Sequence, residues 1–152
     1  MKIGPKIQVD TSKGWDMCFG CGKDNPIGLK LKFEWDGTTA RAEFTPHPNH
    51  QGWADIVHGG ILFTILDEAM GYASIYTGMS CVTARMQARL RRPAVVGEPL
   101  VVAAKIANNE KKLLTITGTI TLKDGTLVAE ATGIMFILDN FPAENQNKQA
   151  ES

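Results

Sequence analysis

One segment of this 152-residue chain, from about His58 to Tyr76, has the length and periodicity of a long helix, and everything with strand character lies before or after it. At 100° per residue, Leu62, Ile65, Leu66, Ala69 and Ala73 fall on a single stripe. With no second helix in the chain to receive that stripe, it must cover a sheet. The expectation is therefore an α+β domain.

The flanking segments supply the sheet. Leu29 to Trp35 alternates Leu29, Leu31, Phe33 and Trp35 against Lys30, Lys32 and Glu34, which predicts a strand. Asp36-Gly37 is a hairpin turn signal, and Thr39 to Thr45 is the returning strand. A Pro-, His- and Gly-rich loop runs from Pro46 to Asp55, and Gly78 ends the helix. Val82 to Leu90 then places Val82, Ala84, Met86, Ala88 and Leu90 on one face, with Thr83, Arg85, Gln87, Arg89 and Arg91 on the other. Strands over Leu100–Ala107, Leu113–Leu122 and Leu127–Leu138 complete six, the last after an Asp124-Gly125 turn. The expected organisation is an N-terminal extension over 1–17, one domain over 18–139, and a polar, frayed tail over 140–152.

Composition narrows the function classes. Apolar residues make up 43%, an ordinary globular figure, while 16 basic and 16 acidic residues balance to zero net charge. Nothing there points to nucleic acid or an anionic membrane, and zero net charge gives little protection against self-association. No apolar run is long enough to span a membrane, and the polar N-terminus lacks a signal-peptide core, so the expected location is the cytoplasm. Cys18, Cys21 and Cys81 give no basis for a disulfide framework. Cys18 and Cys21 have the spacing of half a zinc site, but no second cysteine pair exists, and His47, His50 and Cys81 would have to gather around them. Neither metal nor cofactor is expected, and packing of the N-terminal loop is the reading of that pair.

The helix itself breaks two local rules. Asp67 and Glu68 are the only carboxylates between Val57 and Val82, in the middle of a segment that must be buried on one side. Gly59 and Gly60 sit at its start, where they weaken the helix but leave its unpaired N–H groups open to an oxyanion. Opposite the apolar stripe lie Thr64, Gly71 and, nearby, Ser74, small residues that suit a second copy packed across a two-fold axis. Asp67 lies toward that face, and Glu68 on the other flank, where a structural role is expected. Eight residues separate Gly59 from Asp67, about 12 Å at roughly 1.5 Å each, so one helix cannot aim both groups at one atom. Two antiparallel helices can, and a joint role for these groups requires a site shared between subunits. Phe63, Met70, Tyr72, Tyr76 and Met79 read equally as pocket lining and as core.

The chain resembles the hotdog-fold acyl-CoA thioesterases, and within them the PaaI-like branch of the 4-hydroxybenzoyl-CoA thioesterase superfamily. The resemblance rests on His58-Gly59-Gly60, on Asp67 nine positions after the histidine, and on T-A-R-M-Q-A-R-L-R-R-P from Thr83 to Pro93. Cys18 to Leu29 and His50 to Trp53 also look like this branch, so nearly the whole domain is covered. It implies a curved antiparallel six-stranded sheet wrapped around one long central helix. It implies Asp67 as the catalytic carboxylate, as general base or nucleophile, and the Gly59 N–H as the group that polarises the thioester carbonyl from the partner subunit. Thr83 then orients water, His58 and Gly60 help bind or orient, and Asn49 or Gln51 helps place the thioester. Arg91 and Arg92 are candidates for the coenzyme A phosphates, beside a solvated or interface role. The implied protein is a homodimer, commonly paired into a tetramer, that acts on acyl-CoA. Two rival readings are a non-catalytic acyl-CoA binding or sensing dimer and a hotdog enoyl-CoA hydratase, which needs an acid–base pair this helix does not offer.

Overall fold

The computed structural model describes residues 9–140, so the first eight residues of the expected extension and residues 141–152 of the expected tail lie outside it. Six strands, β1 (Glu34–Trp35), β2 (Thr39–Phe44), β3 (Met79–Leu90), β4 (Leu100–Glu110), β5 (Leu113–Leu122) and β6 (Leu127–Asn140), form one sheet in the order β1-β2-β4-β5-β6-β3. Every pairing is antiparallel. The helix α1 (Gly59–Tyr76) lies across this sheet and touches β2 through β6. This is the curved six-stranded sheet around one central helix that the resemblance implies.

The stripe read from the sequence is the face that packs. Ile65, Leu66, Ala69 and Ala73 are fully buried, and Leu62 nearly so. Met70 and Tyr72 belong to the same core. Met70 depends on a glycine of the sheet: a Cβ on Gly133 would stand 2.6 Å from Met70 Sδ, so only a residue without one lets the helix sit this close. Ser74 departs from the expectation of a small exposed face. It is buried beside Cys81 of β3 and bonds back to the Gly71 carbonyl, while Gly71 and Thr64 stay half-exposed.

The predicted strand over Leu29–Trp35 is confined to Glu34–Trp35. Lys30 takes a left-handed backbone (φ 58°), which breaks a strand, and the Leu29 and Leu31 N–H groups bond to the carbonyls of Phe19 and Gly20 instead. Leu29 and Leu31 are still buried between exposed lysines, so alternation survives without a ladder.

A second correction bears on the site. The alternation over Val82–Leu90 places Thr83 on the face opposite Met86 and Ala88, but β3 carries a bulge between Thr83 and Arg85. The extra residue reverses the parity. Thr83 now pairs with Met135 and Met86 with Gly133, both on the helix side of the sheet, while Val82 turns out to solvent. β3 is also one of the two edge strands of this sheet, 12 residues long.

Candidate active site

The start of α1 is held from both sides. The His58 N–H bonds to His50 O at 2.9 Å, and the Val57 N–H to Ala94 O at 2.9 Å. His58 is the N-cap, with extended backbone (φ −57°, ψ 132°), and its Nδ1 accepts the Gly60 N–H at 2.9 Å. Its carbonyl accepts from Ile61 and Leu62. Each early donor of the helix thus has a partner except one. Among the described residues nothing accepts from the Gly59 N–H, which stands at the positive end of an 18-residue helix.

That donor opens on a cleft of about 750 Å³ whose walls include Trp53, His58, Gly59, Leu90, Arg91 and Arg92. Trp53 is 87% exposed, an unusual position for an indole and one that offers a flat apolar surface at the mouth. Arg91 is paired with Glu130, and Arg92 lies 3.5 Å from Glu98. Asn49 and Gln51 are exposed and line no part of this cleft, and the Gln51 side-chain oxygen accepts the Asp55 N–H at 2.9 Å. A second groove, of about 1030 Å³, opens beside Trp15, Phe33, Tyr72 and Tyr76.

Asp67 lies two helical turns beyond Gly59, toward β3. Thr83 donates its hydroxyl to Asp67 Oδ1 at 2.6 Å, a short O–H···O hydrogen bond. The bulge is what brings that hydroxyl to the helix. No lysine or arginine among the described residues forms a salt bridge with Asp67. A half-exposed carboxylate held by one hydroxyl keeps lone pairs free for a water or an acyl carbon.

Glu68 turns to the other flank and meets the N-terminal turn. Cys18 Sγ is 3.4 Å from Glu68 Oε1 and 3.6 Å from Oε2. Burial pushes the Glu68 carboxyl up to about 7. The Cys21 side chain and backbone N–H groups hold the Cys18 thiol down at about 5, and that same hydrogen bond and burial push Cys21 up. The sequence sets the two acids on different flanks of the helix, as the structure does, but shows neither this contact nor the bulge. Cys18 and Glu68 are 50 residues apart, and no local pattern marks either feature.

Comparison with known proteins agrees with this geometry. The acyl-coenzyme A thioesterase THEM4 of Bos taurus is 30% identical over 140 residues, covering 90% of this chain and 58% of that protein, so the chain spans less than two thirds of that relative. A Streptococcus mutans UA159 protein whose crystal structure is bound to acetyl CoA superposes with a TM-score of 0.70 at 20% identity, over 73% of this chain and 90% of that one. The E. coli PaaI protein from the phenylacetic acid degradation operon gives 0.70 at 22% identity, over 74% and 83%. Both share the fold. Residues 54–129, half of the chain from the loop before α1 to the start of β6, match the family profile of the thioesterase superfamily, and the chain belongs to that superfamily.

Proposed function

We propose that this protein is an acyl-CoA thioesterase that hydrolyses an acyl- or aryl-CoA thioester to the free acid and coenzyme A, at sites shared between two subunits. The observation that carries the reading is the pairing of one unengaged N–H, at Gly59, with one hydroxyl-held carboxylate, Asp67, on the same helix but about 12 Å apart. Separately neither group completes a hydrolytic site. Brought together across a two-fold axis they form two.

In this mechanism the thioester carbonyl oxygen accepts from the Gly59 N–H, whose bond strengthens as the oxygen gains charge. Asp67 of the partner subunit takes a proton from water that attacks the carbonyl carbon, or attacks that carbon itself, with Thr83 fixing the carboxylate. Collapse of the tetrahedral intermediate expels the coenzyme A thiolate, leaving the free acid on the water route; on the direct-attack route it leaves an anhydride on Asp67, which water then hydrolyses to release the acid. His58 acts through Gly60: by capping that N–H it fixes the first turn and leaves Gly59 as the donor. Arg91 and Arg92, at the cleft, are placed to exchange their carboxylate partners for coenzyme A phosphates. The acetyl CoA in the Streptococcus mutans structure of the same fold supports this ligand class.

Two features support a homodimer. β3 is a long edge strand with exposed Val82 and Leu90, and a free edge of that length invites a partner. On α1, a Cβ at Gly71 would meet nothing within 4 Å, so that face of the helix is open to another surface. The resemblance extends this to paired dimers; the cytoplasm is the location expected from the sequence pattern, and no helix of the described residues is long and apolar enough to cross a membrane.

The test is thiol release from a panel of acyl- and aryl-CoA thioesters, alongside Asp67→Asn. The variant is expected to fold and dimerise while losing at least about 10²-fold in kcat. Hydrolysis by Asp67→Asn at the wild-type rate removes Asp67 from the mechanism. Tight acyl-CoA binding with no thiol release from any thioester makes the protein a binding dimer instead.

A further inference from the structure

The segment that ends at Leu31 is a tight turn with its own chemistry. The Cys18 N–H bonds to Trp15 O and the Gly22 N–H to Cys18 O, both at 2.8 Å, and a Cβ on Gly22 would fall 2.4 Å from Asp16 O and Cys18 N. Only glycine lets the chain close this sharply. The closure sets Cys18 and Cys21 together with the backbone N–H groups of Gly20 and Cys21 directed at the Cys18 sulfur. A Cβ on Gly20 would lie 2.6 Å from the Glu68 carboxyl carbon, so this second glycine opens the path by which the helix delivers that carboxylate.

One ligand atom from each of Cys18, Cys21 and Glu68 then lies within 4.8 Å of the other two. A tetrahedral zinc ion, with bonds of about 2.3 Å to sulfur and about 2.0 Å to oxygen, separates its sulfur and oxygen ligands by about 3.5 Å. The Cys18 Sγ to Glu68 distances are 3.4 and 3.6 Å. Three groups that ionise to anions are gathered in a half-buried pocket, and among the described residues no salt bridge brings a lysine or arginine to Glu68. A divalent cation that accepts soft thiolates and one carboxylate is the ligand this set fits.

We propose that Cys18, Cys21 and Glu68 bind one zinc ion, with water in the fourth position. The third ligand is none of His47, His50 and Cys81; it comes from the helix, 50 residues from Cys18. The ion ties the N-terminal turn to α1 at the residue next to Asp67. The ion stands apart from Asp67, because Glu68 and Asp67 leave the helix about 100° apart and Asp67 faces β3. The proposal does not depend on thioesterase activity.

The test uses the full chain kept reduced with a phosphine. Elemental analysis after purification is expected to find one zinc per chain. After chelator treatment, one equivalent of cobalt(II) is expected to give the thiolate-to-cobalt charge-transfer band and the intense visible bands of a tetrahedral site. Cys18→Ser and Cys21→Ser each lose the charge-transfer intensity of one thiolate. Glu68→Gln, which preserves shape and guards against a cysteine variant that fails to fold, weakens cobalt binding at least about 10²-fold while its circular dichroism stays wild-type. A chelator-treated wild-type chain that gives no charge-transfer band overturns the proposal. So does a folded Glu68→Gln that binds cobalt as tightly as the wild type.

Discussion

Gly59→Pro is a substitution that replaces one N–H with a ring methylene and leaves the rest of the helix start intact. Residue 59 is the first helical position, whose N–H lies outside the intrahelical ladder, and proline is favoured there. The residue before a proline must be extended, and His58 already has ψ 132°. A Cβ at 59 meets only Leu90 Cδ1, at 3.5 Å, an ordinary contact. The fold is therefore expected to be as stable as the wild type, or about 0.4–1 kcal/mol more so from reduced unfolded-state entropy. Turnover is expected to fall about 10²- to 10³-fold, the loss typical of one oxyanion donor. Gly59→Ala adds a Cβ but keeps the N–H, so the difference between the two variants belongs to the replacement of that N–H by the proline ring.

The same variant tests whether sites are shared. Gly59→Pro and Asp67→Asn chains carrying different affinity tags are co-expressed, and the mixed dimer is isolated through both tags. If each site takes Gly59 from one subunit and Asp67 from the other, one site of the mixed dimer holds both defects and its partner site holds neither. The mixed dimer then recovers about half of wild-type kcat per dimer, while both homodimers stay at least about 10²-fold down. If each site is built within one chain, both sites of the mixed dimer carry a defect and nothing is recovered. A mixed dimer as inactive as its parents refutes the shared site, and Gly59→Pro at wild-type kcat refutes the role of that N–H.

Three further outcomes follow from the packing and hydrogen bonds. Thr83→Val keeps the shape of the side chain but removes the 2.6 Å bond to Asp67; kcat is expected to fall about 10- to 10²-fold with thermal stability nearly unchanged, and Thr83→Ser to restore it. Gly133→Ala places a Cβ 2.6 Å from the buried Met70 sulfur, so the urea midpoint should drop by an amount equivalent to about 1–3 kcal/mol; an unshifted midpoint contradicts the close approach of helix and sheet. His50 is held below its usual value of 6.5 by burial and then by the neighbouring His47. The unfolded chain therefore binds the proton first, and stability is expected to fall as pH drops below about 6.5 toward the folded value. Urea titrations against His50→Gln read this directly, since the variant should lose that part of the slope.

The features legible in the sequence are those fixed by neighbours along the chain. The stripe from Leu62 to Ala73 and the turn at Gly78 bound α1 to within one residue, and Leu113–Leu122 was read to its ends. Three features depend on partners far away, and local pattern misreads each. Leu29 to Phe33 alternates like a strand, yet the Leu29 and Leu31 N–H groups go to the cysteine turn. Thr83 alternates with Met86, yet its register against β6 inserts an extra residue. The resemblance put Thr83 beside the carboxylate while the alternation put it among the arginines, and the bulge resolves that conflict. Periodicity assigns faces only while pairing is regular, and this strand is irregular where the hydroxyl must reach the helix. Asp67 and Glu68 show the reverse case. They are adjacent and chemically alike, but the helix turns them about 100° apart, one toward a hydroxyl of β3 and the other into a pair of thiols. The sequence shows that both acids are out of place in an apolar helix. Their different partners come from what the fold packs against each flank.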